Sequence, residues 1–385
     1  MAVSIVGLGT ALPPFAYAQR EIEALMRRWI GGERRVDRTL ARVYAHSGIE
    51  TRHSVLHEFG AGAEAGLFGD VSGGAFARPG TAARNDRYGV EAPRLLETAA
   101  RRALSSAPPH LRGRVSHVVT VSCTGFQAPG VDDHLVRALA LPASTERYHL
   151  GFMGCYAAFP ALRMARAFCL ADPEAVVLVA SVELCTLHLD PGRDVDSILS
   201  TSVFADGATA AVVSAATLDP SERTLPGLEM LASTTTLTSE GKQDMAWTIG
   251  DHGFDMVLTS YVPRVLEAEA ATAVAPLLRT GGVSLADVDA WAVHPGGRAI
   301  LDKVELGLGL PEASLAASRA VLSQAGNMSS ASVLFVLERL LGGASPDAAA
   351  GAAPPERLPD GALVAALAFG PGLTVDSALL RVVSA

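Results

Sequence analysis

An α/β fold with layers in the order α-β-α-β-α is predicted by three features of the 385-residue sequence. Short Val-, Ile- and Ala-rich runs are apolar at every position rather than at alternate ones, the mark of strands covered on both faces. Longer stretches with helical spacing of apolar residues lie between them. The composition, 49% hydrophobic and 18% charged, suits a chain with a large buried core.

In chain order, "VSIVGLGT" (3–10) reads as a strand and "RLLETAARRAL" (94–104) as a helix. "VSHVVTVSCTG" (115–125) is a strand running into a glycine turn, and "HLVRALAL" (134–141) is a helix. The strand-like "RYHLGFMG" (147–154) meets a helix, "YAAFPALRMARAFCL" (156–170), read as beginning at about Tyr156. "AVVLVASVEL" (175–184) and "ATAAVVSAA" (208–216) are further strands. In the second half "DAWAVHPGG" (289–297) is a strand ending in a glycine turn, "SASVLFVLERLL" (330–341) a helix and "LVAALAFGPG" (363–372) a strand. Segments 58–86 and 342–361, rich in Gly, Ala, Pro and Asp, read as surface loops that build no core. The Pro- and charge-containing "ATLDPSERTLPG" (216–227) is the best internal boundary.

A net charge of −9 and a pI near 5.6 argue against a nucleic-acid-binding surface, which needs clustered cations. Lys242 and Lys303 are the only lysines, a compositional bias toward arginine without functional content. No run approaches the roughly 20 apolar residues of a membrane span, and no basic region precedes the short apolar N-terminus, so a cytoplasmic protein with no membrane insertion is expected. Four cysteines, at 123, 155, 169 and 185, lack metal-type spacing and are expected as free thiols.

Cys155 lies between Gly154 and the predicted helix, where unpaired N–H groups and the helix dipole favour a thiolate. A lone cysteine is more often a small buried hydrophobe, so partners decide. His294 ends an apolar strand just before Pro-Gly-Gly, at a strand terminus where α/β proteins place their sites. Asn327, in "SQAGNMSSAS", is either a helix cap or a hydrogen-bond donor. A Cys-His-Asn set suits a papain-like hydrolase, in which the His is a base, and the spacing of about 140 residues fits. It equally suits a condensing enzyme, in which His and Asn donate to a thioester oxygen and stabilise an enolate. The papain-type signature around the cysteine is absent, which favours condensation.

Six ordered motifs, "GCYAAFPALRMA", "VELCTLHL", "SVFADGATAAVV", "WAVHPGGRAILDKVE", "GNMSSASVLFVLE" and "FGPGLTVDSALL", resemble those of type III polyketide synthases, the chalcone-synthase-like branch of the thiolase superfamily. The resemblance runs from "GLGTALPP" almost to the C-terminus. It implies a duplicated thiolase-like fold, with residues 1–222 carrying the nucleophile and 223–385 the His and Asn, and a homodimer. It implies acyl-CoA and malonyl-CoA as substrates, with no metal or organic cofactor. Cys155 is then the acyl acceptor, held as thiolate by an imidazolium of His294, and His294 with Asn327 is the donor pair.

The same resemblance puts Phe204 at one gatekeeper position between CoA tunnel and cavity, and Met256 at the other. Cys123, Cys185, His188 and Ser329 fall on pocket-lining positions, and Ala128 on the residue that reaches a neighbouring subunit's cavity. Gly296 and Gly297 let the CoA arm pass close to the backbone, and Arg52 meets a CoA phosphate at the tunnel mouth. Departures from the plant pattern suggest a bacterial-type enzyme with a long fatty acyl starter and an alkylresorcinol or alkylpyrone product. The nearest alternative is a ketoacyl-synthase-III-like single condensation; those of other classes are a cysteine hydrolase and a catalytically silent scaffold.

Overall fold

A computed structural model of the chain describes residues 1–215, 225–311, 313–343 and 357–383. The boundary drawn between 222 and 223, and most of the loop drawn at 342–361, lie outside the described residues. Thirteen strands are present among the described residues: β1 (Ser4–Ala11), β2 (Phe15–Ala18), β3 (Thr51–Ser54), β4 (His117–Ser122), β5 (Glu146–Gly151), β6 (Val176–Leu184) and β7 (Asp206–Ser214) in the first half. The second half holds β8 (Gly227–Leu237), β9 (Met245–Gly250), β10 (Gly253–Leu258), β11 (Ala290–Val293), β12 (Leu363–Gly370) and β13 (Thr374–Val383).

Nine of these form the order β11-β12-β13-β8-β1-β7-β6-β4-β5. Within this sheet the halves meet edge to edge where Ser4 pairs with Glu229 and Ile5 with Leu228. On either side of that seam the plan repeats. β1 lies antiparallel to β7, β7 to β6, and β6 parallel to β4; β8 lies antiparallel to β13, β13 to β12, and β12 parallel to β11. The duplication that the family resemblance implies is explicit in this topology.

The apolar runs are continuous because successive residues enter different cores. Along β6, Val177 and Val179 face one cluster while Val176, Leu178 and Ala180 face another. Along β12, Val364 and Ala366 face that same first cluster, and Ala365 and Leu367 a third. The shared cluster holds helices Ala158–Ala171 and Ser332–Leu340, sandwiched between the two half-sheets, with Ala158, Ala161 and Ala165 fully buried where small side chains let helix and sheet approach. Helix Thr81–Ser106 covers the outer face of the first half, and helices Val262–Gly281 and Arg298–Gly307 that of the second. The result is the five-layered α-β-α-β-α order.

Two local expectations change. The segment read as a loop from 58 to 86 gives up Thr81 onward to a long helix, and its Phe68 and Val71 are buried in the first-half core. Isolated large side chains among glycines dock there because Trp29 meets Phe68 edge-on and stacks on Phe76 at 4.6 Å. The helix after Cys155 begins at Ala158 rather than Tyr156, so Pro160 falls in its first turn, where its missing N–H has no intrahelical partner to lose.

Candidate active site

Cys155 follows Gly154, whose φ of +85° and close approach to the Pro371 ring leave no room for a Cβ. A turn held by Ala157 N–H to Gly154 O, 3.1 Å, carries the chain from Cys155 into its helix. From the other half, β11 delivers His294, whose N–H bonds Leu367 O at 2.8 Å. Asn327 is fixed by two backbone bonds to the segment before β7: its N–H donates to Val203 O at 2.9 Å and its C=O accepts from Ala205 N–H at 2.8 Å. That ladder is also what brings Phe204 beside Asn327. The Asn327 side chain serves both roles left open by its sequence: Oδ1 accepts from Ser329 N–H at 2.9 Å, a local cap, and Nδ2 donates to Gly296 O at 3.2 Å.

These groups line one small cavity of about 30 Å³, together with Cys123, Cys185, Phe204, Met256, Gly296 and Ser329. His294 is 2% exposed and neither ring nitrogen has a hydrogen-bond partner among the described residues. A buried imidazole without partners retains its hydrogen-bonding capacity for whatever enters. Burial alone drives it down to about 3, so it sits neutral, with one N–H to donate. Burial likewise pushes the Cys155 thiol up to about 12, outweighing the hydrogen bond from Ser329, and the charge of Glu183 adds to the rise. Desolvation in this cavity thus favours a neutral imidazole and a neutral thiol and works against the expected imidazolium-thiolate pair.

Beneath the cavity lies a buried carboxylate that sequence reading passed over. Glu183 accepts from Cys123 N–H at 3.0 Å and Thr124 Oγ1 at 3.0 Å, from the Cys123 thiol at 3.3 Å, and from Ser330 Oγ. Burial raises its pKa, and burial first, with the Glu183 charge second, raises the Cys123 thiol as well. Its signal was a single acid inside the apolar run "AVVLVASVEL". Trp247 was also missed. It pairs across the β9–β10 hairpin with Met256, and its indole N–H donates to Cys123 O at 2.7 Å, so the hairpin roofs the cavity.

Two larger spaces adjoin the centre. Gly296 and Ile300 lead into a groove of about 750 Å³ that also touches Gly297 and Ala299. Arg35, Arg38 and Arg42, one face of helix Arg34–Ala45, line it with Arg298, and no acidic residue does. Their spacing in "RRVDRTLAR" was the available signal. On another side, Cys185, Phe204, Trp247 and Met256 are shared with a chamber of about 460 Å³ that His188 also lines. His188 is fully engaged: its Nε2 bonds Thr124 O at 2.7 Å, its Nδ1 accepts from Phe254 N–H at 3.0 Å, and its ring stacks on Phe254.

Arg52 does not reach the groove. It is 5% exposed, its Nη1 donates to Thr201 O at 2.8 Å and Phe204 O at 3.0 Å, and it lies over the Tyr44 ring. The guanidinium buttresses the Phe204 segment, and the phosphate contact expected of it is ruled out by burial. Ala128 precedes a cis Pro129 and lines no described cavity of its own chain.

A duplicated five-layered α/β fold with Cys, His and Asn converging between its halves defines a thiolase-like acyl-transferring enzyme. Comparison with known proteins narrows this further. The N-terminal domain of chalcone and stilbene synthases matches residues 2–217 and the C-terminal domain residues 229–384. A relative in Mycobacterium tuberculosis, the alpha-pyrone synthesis polyketide synthase-like Pks18, is 31% identical over 284 residues, 74% of this chain and 69% of that protein. The structure of PKS-I from the brown alga Ectocarpus siliculosus superposes with a TM-score of 0.86 at 29% identity, covering 99% of this chain and 98% of that one. That of 1,3,6,8-tetrahydroxynaphthalene synthase from Streptomyces coelicolor, a bacterial type III polyketide synthase, gives 0.81 at 25%, covering 99% and 100%. The chain belongs to the chalcone and stilbene synthase family and is a type III polyketide synthase, a CoA-dependent acyltransferase. No helix among the described residues is long and apolar enough to cross a membrane.

Proposed function

We propose that Cys155 accepts a starter acyl group from acyl-CoA and that His294 and Asn327 stabilise the enolate formed from malonyl-CoA. The observation that carries this reading is the pair of unpartnered His294 nitrogens on an apolar cavity shared with Cys155 and Asn327. In loading, the thiol proton passes to the His294 imidazole as sulfur attacks the thioester, and CoA leaves with that proton. Malonyl-CoA then loses carbon dioxide. The negative charge left on its thioester oxygen meets the Asn327 Nδ2–H and the His294 N–H in a small, largely apolar cavity, where such donors act strongly. The enolate carbon attacks the acyl-Cys155 carbonyl and expels the Cys155 sulfur, which leaves the extended chain on CoA; Cys155 takes that chain back as CoA departs, and further rounds precede cyclisation.

The arginine-lined groove supports the entry of the polyanionic CoA arm past Gly296 and Gly297, and Phe204 and Met256 stand between the reacting centre and the chamber beyond it. The adaptable Met256 and the relative named for alpha-pyrone synthesis support a long fatty acyl starter and an alkylpyrone or alkylresorcinol product. A homodimer in the cytoplasm completes the reading, with no metal or organic cofactor called for by these steps. Removal of one such donor lowers rate by about 100- to 1000-fold. Asn327→Ala is therefore expected to cut malonyl-CoA decarboxylation, measured as carbon dioxide release, by that factor. Unchanged release would remove Asn327 from the donor pair.

A further inference from the structure

The last carbonyls of a helix have no partner within it. At the end of helix Val195–Val203 they are met from distant segments. Thr201 O accepts from Arg52 Nη1 at 2.8 Å and from the Tyr44 hydroxyl at 3.4 Å, and Ser202 O accepts from Gln19 Nε2 at 2.8 Å. Val203 O accepts from Asn327 N–H at 2.9 Å, and Phe204 O from Arg52 Nη1 at 3.0 Å. Arg52 therefore grips this segment on both sides of its bond to Asn327, and a cation suits the negative end of the helix.

The other strand of the contact also leans on Arg52. Phe204 and Asn327 form an isolated bridge bounded by Val203 O and Ala205 N–H. Gly326, at φ +76°, packs so closely that a Cβ there would lie 3.1 Å from Arg52 Cγ and 3.0 Å from the Ala205 Cβ. Stability alone does not account for this arrangement. Arg52 is buried, its Nε and Nη2 find no acceptor among the described residues, and its guanidinium lies over the Tyr44 ring at 5.8 Å. Asp206, whose charge acts on it, is occupied by Val55 N–H, Thr186 N–H and the Thr186 hydroxyl. A cation kept dry without a carboxylate bound to it lowers stability.

We propose that Arg52 is a positioning residue for malonyl-CoA decarboxylation: it locks the Phe204–Asn327 bridge and thereby sets where the Asn327 Nδ2–H meets the developing thioester oxygen. Ser329 N–H and Gly296 O orient the amide, and Arg52 places the backbone that carries it. Arg52 lines no part of the reaction cavity and acts through Asn327. This rests on the synthase reading above and deepens it, because it assigns the placement of one oxyanion donor to a residue outside the cavity.

The test reads carbon dioxide release from malonyl-CoA by the full chain, with melting temperature recorded for every variant. Arg52→Lys keeps the charge but not the planar fork, and Arg52→Gln keeps an amide donor without the charge. Either one that retains a cooperative melt decides the matter. Each is expected to lower kcat at least about tenfold and to leave KM for malonyl-CoA within about twofold, since a misplacement of about 1 Å costs up to about 100-fold in rate. In an Asn327→Ala background the same substitutions are expected to change kcat by less than about twofold, because the group they aim is already gone. A full additional loss in that background overturns the proposal and makes Arg52 a general support of the fold. Unchanged kcat also overturns it, as does a raised KM with kcat kept, which would return Arg52 to a CoA phosphate. A wild-type chain that releases no carbon dioxide, or an Asn327→Ala chain that releases it at the wild-type rate, overturns instead the reading of Asn327 as a donor, on which the proposal rests.

Discussion

Replacing His294 by glutamine should alter how stability depends on pH. Burial with no polar partner holds the folded imidazole near 3, against 6.5 ordinarily. As pH falls below 6.5 the unfolded chain takes up this proton and the folded chain does not. His294 therefore lets stability be complete above that value and drains it as pH drops toward 3, by about 1.4 kcal/mol for each unit. Between about pH 6.5 and about pH 4.5 the loss from this residue is about 3 kcal/mol. His188, lowered to about 4 by burial, adds a loss of the same sign, and Asp206, raised to about 6 by burial, opposes it because its folded form takes up a proton first. Comparing variant with wild type cancels both. Urea unfolding at about pH 7 and about pH 4.5 should show His294→Gln losing about 3 kcal/mol less than wild type between the two conditions. Equal losses would mean that His294 is already charged in the fold, and the neutral resting site would be wrong.

Two further expectations concern the frame around the nucleophile. Gly154→Ala forces a left-handed backbone on a residue with a Cβ and drives that Cβ into Pro371, so thermal unfolding should report a loss of about 1–3 kcal/mol, with polyketide formation falling further because Cys155 is displaced. The triple variant Arg35→Ala/Arg38→Ala/Arg42→Ala should raise KM for CoA thioesters and flatten its dependence on salt, with little change in melting temperature; an unaltered salt dependence would place the CoA phosphates elsewhere.

Much of this molecule was legible before any coordinates. Strands covered on both faces announce themselves as unbroken apolar runs, and β1, β4, β6, β7, β11 and β12 all fall on such runs. β8 and β13 were passed over because threonine, serine and charged residues interrupt them, as in "GLEMLASTTTL" and "TVDSALLRVV". Cys155, His294 and Asn327 were legible for a different reason: Cys155 and Asn327 each follow a glycine of positive φ, and His294 ends its strand just before Pro295-Gly296-Gly297. What the sequence could not carry was depth. Arg52 looks like any cation near an N-terminal strand until burial ties it to Thr201 and Phe204. The direction in which burial shifts Cys155 and His294 follows from a cavity formed by residues more than 200 positions apart, from Cys123 to Pro371. The Glu183 network and the Trp247–Met256 pair likewise exist only once distant segments meet.

Intact-mass spectrometry of the protein after mixing with an acyl-CoA tests the central claim most directly. The account predicts a gain of one acyl group for each chain, located on the peptide carrying Cys155, with release of CoA and no gain in Cys155→Ala. An acyl group on Cys123 or Cys185 instead, or an equal gain in Cys155→Ala, would contradict it.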